Sequence, residues 1–191
     1  MPAARCATLE DGGVATPARD AAPRFRRARF AELSPFEVYR LCRLRVDVFV
    51  VEQQCPYPEL DGRDLEPGTE HLWFEADGEV AATIRVLDDG ATKAIGRVVT
   101  APAFRGAGLA ARLIEQGIAD HGDVPLTLGA QAHLEHWYER FGFRRSGPGY
   151  DEDGIPHVPM RRLRHRWNLS KKNNPDADAA LAATADPHLC C

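Results

Sequence analysis

The residues best suited to chemistry lie in a glycine-rich turn, Arg105-Gly106-Ala107-Gly108-Leu109-Ala110. The two glycines carry no side chain, so the backbone can approach a ligand closely. A helical pattern follows, and the unpaired N–H groups and positive end of a helix start favour phosphate or pyrophosphate. Arg105 adds a planar cation suited to phosphate oxygens. The turn therefore predicts an anion site, with close packing as the competing interpretation. Its spacing fits neither the GxGxxG dinucleotide fingerprint nor a P-loop, which requires a lysine.

Composition limits the class of protein to which this chain can belong. The chain has 191 residues, of which 44% are hydrophobic, and a net charge of −4. These values are typical of one globular domain. The negative balance disfavours a nucleic-acid partner, and no apolar run approaches the ~18 residues of a membrane span. The N-terminus shows no signal-type apolar stretch, and no cysteines have CxxC spacing. We therefore expect a cytoplasmic protein that binds neither nucleic acid nor membrane.

Residues 1–24 and 167–191 differ from the rest of the chain. The first stretch is rich in Ala, Gly and Pro, the second in Ala, Asp and Asn, and neither shows a hydrophobic period. Neither can bury enough apolar area to offset its ordering entropy, so both are predicted to be flexible. The folded domain is expected over residues 25–166.

The elements before the turn read as a helix followed by three strands. Ser34-Pro35 is a helix start, and apolar residues from Phe36 to Val48 recur at helical spacing. Residues 51–67 carry Pro, Gly and Asp at short intervals and predict a long loop. Two strand-like runs, 71–75 and 79–87, flank a tight turn at 76–78, which predicts a hairpin. A further turn leads into a third antiparallel strand at 95–100.

After the turn, the chain alternates helix and strand. Residues 109–118 have one apolar face and predict a helix. A short strand at 124–129, a short helix at 134–141 and two final strands, near 143–145 and 158–163, complete the domain. The order indicates an α+β fold. It comprises a mixed, mostly antiparallel central sheet flanked by helices, with one βαβ crossover.

The turn also matches a family signature, Arg/Gln-x-x-Gly-x-Gly/Ala, with Ala110 as the final small residue. Downstream, the segment 131–143 (QAHLEHWYERFGF) resembles the "N…A..FYEKxGF" segment of the GNAT acetyltransferases. Three further stretches, RVDVFVVEQQCPYPELDGRD, LGAQAHL and EDGIPHVPM, make the chain similar to the ElaA-type branch of that superfamily. The resemblance covers roughly residues 30–162 and implies the GNAT acyltransferase fold.

The resemblance implies a binding mode for acetyl-CoA as co-substrate. The pantetheine arm would lie against the backbone of Val98 and Val99, where two strands separate. The pyrophosphate would rest on the amides of Arg105, Gly106, Ala107, Gly108, Leu109 and Ala110. Gln131 is included as a cofactor-binding residue, although it stands where many relatives carry Asn.

Tyr138 occupies the position of the family's tyrosine, which implies that it protonates the departing thiolate. A phenol of ordinary pKa ~10 can do so for a thiol of pKa ~8.5 only where the thiolate is poorly solvated. Without the resemblance, Tyr138 would be interpreted more simply as a core aromatic.

An ammonium acceptor must also lose a proton, so a base is required. Glu52 follows an apolar run, which suggests a raised pKa, and is the first candidate. Alternatively, Glu52 forms a structural ion pair with Arg45, seven residues earlier. His71, at the start of a strand near the expected cleft, is the second candidate. No metal is expected, because His133 and His136 lack an obvious third ligand.

The expected function is acetyl transfer from acetyl-CoA to an amine by direct attack on the thioester. Two alternatives stay open, namely a non-catalytic acetyl-CoA-binding regulator and an enzyme similar to acyl-homoserine-lactone synthases. The acceptor is expected to be a small-molecule amine, and acidic residues at 52–70 favour a cationic one. A homodimer is also left open.

Overall fold

The computed structural model describes residues 22–164. The segments predicted to be flexible lie outside this range, apart from a few residues at the boundary. One of these, Arg24, was assigned to the N-terminal extension but is the first residue of strand β1. No helix among the described residues is long and apolar enough to cross a membrane.

Eight strands form one mixed sheet in the order β1-β2-β3-β4-β5-β8-β6, with β7 paired to β8. The strands are β1 (Arg24–Arg29), β2 (Glu70–Ala76), β3 (Glu79–Asp88), β4 (Lys93–Thr100), β5 (Leu126–Gln131), β6 (Arg144–Arg145), β7 (Tyr150–Glu152) and β8 (Ile155–Arg162). Within this sheet only β4 and β5 are described as a parallel pair; the other pairs are antiparallel. The predicted α+β layout, with a mixed, mostly antiparallel central sheet, is confirmed.

Helix α1 (Pro35–Arg45) begins as its sequence predicts. The side chain of Ser34 accepts a hydrogen bond from the Glu37 N–H, and the Glu37 carboxylate accepts one from the Ser34 N–H. This reciprocal capping satisfies two donors that the first helical turn leaves unpaired. The apolar stripe is only partly used for packing, because Phe36 and Tyr39 are exposed. The chain then continues through a π-helical segment (Val46–Glu52), which buries Val48 and Phe49.

The predicted hairpin and crossover are both present. Strands β2 and β3 are joined at Asp77 and Gly78, which both have positive φ, as a tight two-residue hairpin turn requires. Strand β4 leads through helix α2 (Leu109–His121) to the parallel strand β5. The C-terminal part differs from prediction in that three strands replace two. Helix α3 spans only Glu135–Glu139, preceded by a 3₁₀ turn (Ala132–Leu134).

The sheet separates two apolar clusters, because successive side chains of a strand point to opposite faces. On one face, Leu72 and Phe74 pack with α2 residues such as Leu113. On the other, Trp73 packs with Leu41 and other residues of α1 and the π-helical segment. The helices thereby cover both faces of the strands that form the site.

Candidate active site

Strands β4 and β5 separate soon after they meet. Among the described residues, their pairing covers only Lys93 with Leu126 and Ala94 with Thr127. On its other side, β4 has one extra residue relative to β3, and Arg97 in this irregularity has a φ of 52°. A bulged strand bends, and bulges recur next to active sites. The backbone of β4 beyond Ala94 therefore faces a gap in the sheet.

A cavity that is open to solvent occupies this gap, and its volume is about 520 Å³ when the open part is counted. Strand β4 contributes residues 95–99, and β5 contributes Gly129 and Gln131. Tyr138 of α3 and His157 of β8 also line it, and the π-helical segment and the residue after it supply Val48, Phe49 and Gln53. The cavity is thus built at the point where the sheet opens.

The glycine-rich turn lies just after this gap, between β4 and α2. Gly106 and Gly108 adopt φ values of 77° and 73°, which L side chains rarely adopt, and a Cβ at either position would meet nothing within 4 Å. Gly108 is the N-cap of α2, and the first backbone bond of the helix runs from Arg112 N–H to the Gly108 carbonyl at 3.1 Å. The N–H groups that precede Arg112 in α2 belong to the first helical turn, whose N–H groups have no partner within the helix. The turn thus has the open backbone that an anion requires.

Glu52 lies beside this turn and pairs with Arg105. The Arg105 guanidinium donates to Glu52 Oε2 at 2.8 Å and to the Thr100 carbonyl at 3.3 Å. The hydrogen bond from Arg105 lowers the pKa of Glu52, so the expected raised pKa is wrong. The alternative interpretation, an ion pair between Glu52 and Arg45, is also wrong. Arg45 instead pairs with carboxylates of the long irregular segment that follows residue 52.

Those partners belong to a buried ionic cluster, in which three arginines meet three carboxylates. Its members are Arg45, Arg85, Arg97, Glu59, Asp61 and Asp64. Arg97 donates to Glu59 at 2.8 Å, and Arg85 donates to Asp61 at 2.6 Å. The acidic residues of the 52–70 segment that suggested a cationic acceptor are therefore largely engaged with arginines. The cleft is not an acidic surface.

The arginines of the cluster lower the pKa values of Asp61 and Asp64. Burial acts to raise the pKa of Asp64, but hydrogen bonds and charge from Arg45, with the nearby Arg85, outweigh it and lower the pKa to about 2. The pKa of Asp61 is also lowered. Burial acts to raise it, but the hydrogen bond and charge of Arg85 have the larger combined effect. Three arginines thus compensate three carboxylates, as buried charges require.

His71 lies behind this cluster and does not face the cavity. It is 3% exposed on β2, and its Nε2 is 3.9 Å from Asp64 Oδ1. Burial lowers its pKa, an effect that Asp64 opposes only in part. Among the described residues, the cavity wall contains neither His71 nor Glu52. The structure therefore does not bring either proposed base together with Tyr138.

Tyr138 does reach the cavity wall. Its ring is 6% exposed and packs edge-on against Trp137 at a centroid distance of 4.7 Å. Gln131 also lines the cavity and donates to Gln53 Oε1 at 3.2 Å. Val98 and Val99 also line the cavity. The structure thus brings together Tyr138, Gln131, Val98 and Val99, with the glycine-rich turn at the adjoining end of β4.

The wall residues that were not predicted include two buried polar side chains, His157 and Arg97. Both are almost fully buried polar residues within strands, at 1% and 0% exposure. Their sequence surroundings, IPHVPM and AIGRVV, read as ordinary strand patterns. The one available signal was a polar residue within each apolar run. No group of three His, Cys, Asp or Glu side chains in residues 22–164 is arranged to hold a metal ion.

Comparison with known proteins identifies the family to which this architecture belongs. The family described as "Acetyltransferase (GNAT) domain" matches residues 40–164. The chain belongs to the GNAT acetyltransferase family. It is 48% identical over 142 residues to a UPF0039 protein of Mycobacterium bovis, covering 72% of this chain and 91% of that protein. It is 42% identical over 139 residues to the Escherichia coli protein ElaA, covering 69% and 91%.

Solved structures agree with this assignment to the ElaA-type branch of the GNAT family. An acyl-CoA N-acyltransferase from Pseudomonas aeruginosa superposes with a TM-score of 0.72 at 42% identity, covering 74% of this chain and all of that one. The crystal structure of E. coli ElaA superposes with a TM-score of 0.70 at 38% identity, covering 74% and 99%. Membership of this GNAT family supports an acyltransferase enzyme.

Proposed function

We propose that this GNAT protein transfers an acetyl group from acetyl-CoA to the amine of a small acceptor. The observation that carries the proposal is the continuity of two features, namely the sheet gap lined by Val98, Val99 and Tyr138 and the open turn at Gly106 and Gly108. An acyl-CoA donor needs both a slot for an extended thioester arm and a site for its phosphates.

The residues present fit acetyl-CoA. The backbone of β4 past Ala94 faces the gap instead of β5, and the open turn precedes the unpaired amides of α2. Helix N-termini with close backbone approach bind phosphates without further assistance. Arg105 can reach the same anion once it leaves Glu52. The name of the Pseudomonas relative, an acyl-CoA N-acyltransferase, also supports a coenzyme A thioester as donor.

The chemistry requires few protein groups. Acetyl-CoA supplies an activated acetyl carbon; a neutral amine forms a C–N bond there while the C–S bond breaks and the thiolate leaves. In this proposal the Tyr138 hydroxyl gives its proton to the thiolate and regains one from the amine nitrogen or solvent. Burial of the Tyr138 ring keeps that thiolate poorly solvated, which is the condition for proton transfer from a phenol.

The acceptor is proposed to be a small-molecule amine because the cavity is modest in size. The lining side chains are mainly apolar or neutral polar, and the cluster carboxylates next to it are paired with arginines. A strongly cationic acceptor is therefore not favoured over a neutral or singly charged one. Compared with the regulator alternative, a cavity that is open to solvent and lined by Tyr138 supports an enzyme, because an acceptor can enter it.

A cytoplasmic location is part of the same proposal. Cys42 and Cys55 are both free, although Cys55 is buried and Cys42 partly buried. Free thiols of this kind are ordinary in a reducing compartment.

The test measures acetyl-CoA binding to a variant in which a side chain blocks the glycine-rich turn. A ligand at a hundredfold excess over Kd stabilises the native state by ~2.7 kcal/mol, so wild type should show a clear thermal shift. Gly108→Val places a branched side chain in the open turn and should abolish the shift. Gly90→Val is the matched control: Gly90 also has a φ of 76° and open surroundings, but lies before the opposite end of β4. Its shift should match that of wild type.

Activity is then followed as thiol release from acetyl-CoA. The acceptor panel comprises a polyamine (spermidine), an aminoglycoside (kanamycin), an amino acid (lysine) and a short peptide with a free N-terminus. Binding of acetyl-CoA without turnover of any amine would favour the regulator. Full retention of the thermal shift by a folded Gly108→Val protein would contradict the proposed cofactor site.

A further inference from the structure

We propose that the acceptor is a small primary amine with a single positive charge and an apolar side chain, and that Gln53 helps to exclude amines with a second charge. This inference rests on the proposed function, because it names the acceptor class of that acetyl transfer. The cavity that contains Tyr138 has a wall of apolar side chains and neutral amides. Within residues 22–164, this wall contains no Asp or Glu.

The apolar part of the wall adjoins the strand that is proposed to hold the donor. Val48 and Phe49 of the π-helical segment belong to the same apolar cluster as Val99 of β4, and all three line the cavity. Leu134, which precedes α3, adds a further aliphatic side chain to the wall. An alkyl group that covers these side chains removes apolar surface from water, which stabilises the complex in proportion to the area covered.

The permanent charge among the described residues of the wall is that of Arg97, and carboxylates already compensate it. Its side chain is 0% exposed, with Nε 2.8 Å from Glu59 Oε2 and Nη2 3.2 Å from Asp61 Oδ2. Both carboxylates also pair with a second arginine of the cluster. The wall includes Tyr138 and His157 as well, but a phenol and an imidazole supply no negative charge at neutral pH. The described part of the wall thus offers no anion to a second ammonium group.

Two further carboxylates lie close to the wall without lining it. Glu52 is bound to Arg105 at 2.8 Å, and its side chain is 44% exposed, so solvent and salt screen its charge. Glu152 lies beside the His157 ring, with Oε2 4.0 Å from Nδ1. Neither side chain belongs to the surface that a ligand in the cavity would contact.

Gln53 directly follows the π-helical segment and supplies a polar part of the wall. Its Oε1 accepts a hydrogen bond from Gln131 Nε2 at 3.2 Å, so two neutral amides join this segment to β5. The Gln53 side chain is exposed, so it lies where the cavity meets solvent. A carboxylate at this position would attract a second ammonium group, whereas an amide offers hydrogen bonds without charge.

A second ammonium group carried into this cavity would lose water without gaining a charged partner. Buried charges are costly unless they are paired. A methyl group in the same place would instead contact the apolar side chains of the wall. The cavity therefore favours an alkylamine over a diamine of the same length.

The probes are butylamine, pentylamine and hexylamine, together with 1,5-diaminopentane, in which an ammonium group replaces the terminal methyl group of hexylamine. Turnover is measured at neutral pH as thiol release from acetyl-CoA. Wild type is compared with Gln53→Glu, which can still accept the hydrogen bond from Gln131 but adds a negative charge to the wall. Gln54→Glu is the matched control, because it adds the same charge at the next residue, whose exposed side chain does not line the cavity.

We expect kcat/KM of wild type to rise ~4-fold with each methylene group from butylamine to hexylamine, which corresponds to ~0.8 kcal/mol per methylene group. The value for 1,5-diaminopentane should be at least ~10-fold below that for hexylamine. Gln53→Glu should narrow this gap by ~3–5-fold, the effect of a solvent-exposed ion pair, with an unchanged acetyl-CoA thermal shift. Gln54→Glu should keep the gap within about twofold of wild type. A merely structural defect would lower kcat/KM for both amines and leave their ratio unchanged.

Equal kcat/KM values for hexylamine and 1,5-diaminopentane, or a preference for spermidine or kanamycin over the alkylamines, would overturn the acceptor class and leave the acetyl transfer intact. An unchanged ratio in folded Gln53→Glu would overturn the role of Gln53. Absence of turnover with the alkylamines, the diamine and the acceptor panel would instead overturn the function proposed above, and this inference with it. If Gln53→Glu does not fold, Gln53→Asp is tested by the same ratio.

Discussion

Replacing Glu59 with Gln should destabilise the domain far more than any exposed carboxylate does. The Glu59 side chain is 2% exposed and forms ion pairs with Arg45 and Arg97, while the Tyr57 hydroxyl donates to it. Gln is nearly the same size but neutral, so the cluster of three positive and three negative groups would carry an uncompensated buried positive charge.

The magnitude follows from burial of the charge. Breaking a buried ion pair by removing one partner costs ~3–5 kcal/mol. For a domain of this size, each kcal/mol lowers Tm by ~2–4 °C, so Glu59→Gln should lower Tm by ~6–20 °C. Glu66 supplies the control, since it also pairs with an arginine, Arg63, but its side chain is 40% exposed. An exposed pair contributes ~0–1 kcal/mol, so Glu66→Gln should change Tm by no more than ~4 °C.

The assay is urea unfolding of wild type and both variants at pH 7, with thermal scans alongside. Adding Arg97→Met to Glu59→Gln should recover part of the loss, because it removes the unpaired charge. Equal destabilisation by Glu59→Gln and Glu66→Gln would show that the cluster carboxylates are solvated in the folded protein, which would refute the reasoning.

Three further predictions address the cluster and the site. Asp64 has a pKa of about 2 when folded and near 3.8 otherwise. The unfolded state therefore binds more protons in this range, and about 2 kcal/mol of unfolding free energy should be lost as pH falls from about 4 to about 2. Urea titrations at each pH measure this, and a flat profile in that range would contradict it. Glu52→Gln should leave kcat nearly unchanged and keep or strengthen acetyl-CoA binding, because it releases Arg105; a fall in kcat of ~10²-fold would restore Glu52 as the base. Tyr138→Phe keeps the ring that packs on Trp137 but removes the hydroxyl, so kcat should fall ~10²-fold or more with acetyl-CoA affinity unchanged. Tyr39→Phe, on the exposed part of α1, is its control, and similar kcat values for the two would assign Tyr138 to the core alone.

The sequence alone determined the local features of this protein. The Ser34-Pro35 start of α1, the Asp77-Gly78 hairpin and the glycines before α2 were all predictable, because capping, positive φ and periodicity depend on neighbours in the chain. The family signatures at 105–110 and 131–143 supplied the fold and the reaction class. These features require no knowledge of which strands lie side by side.

Tertiary structure decided which charged groups meet. Arg45 pairs with Glu59 and Asp64 instead of Glu52, and Arg105 takes Glu52, because the segment after residue 52 folds back over strands β3 and β4. The same folding buries His71 behind the cluster. The pairing of β8 with β5 makes His157, nineteen residues beyond Tyr138 in the chain, a lining residue of the same cavity. Ion pairing and burial act through space at a few ångströms, and sequence spacing does not encode those distances once the contacts join different elements.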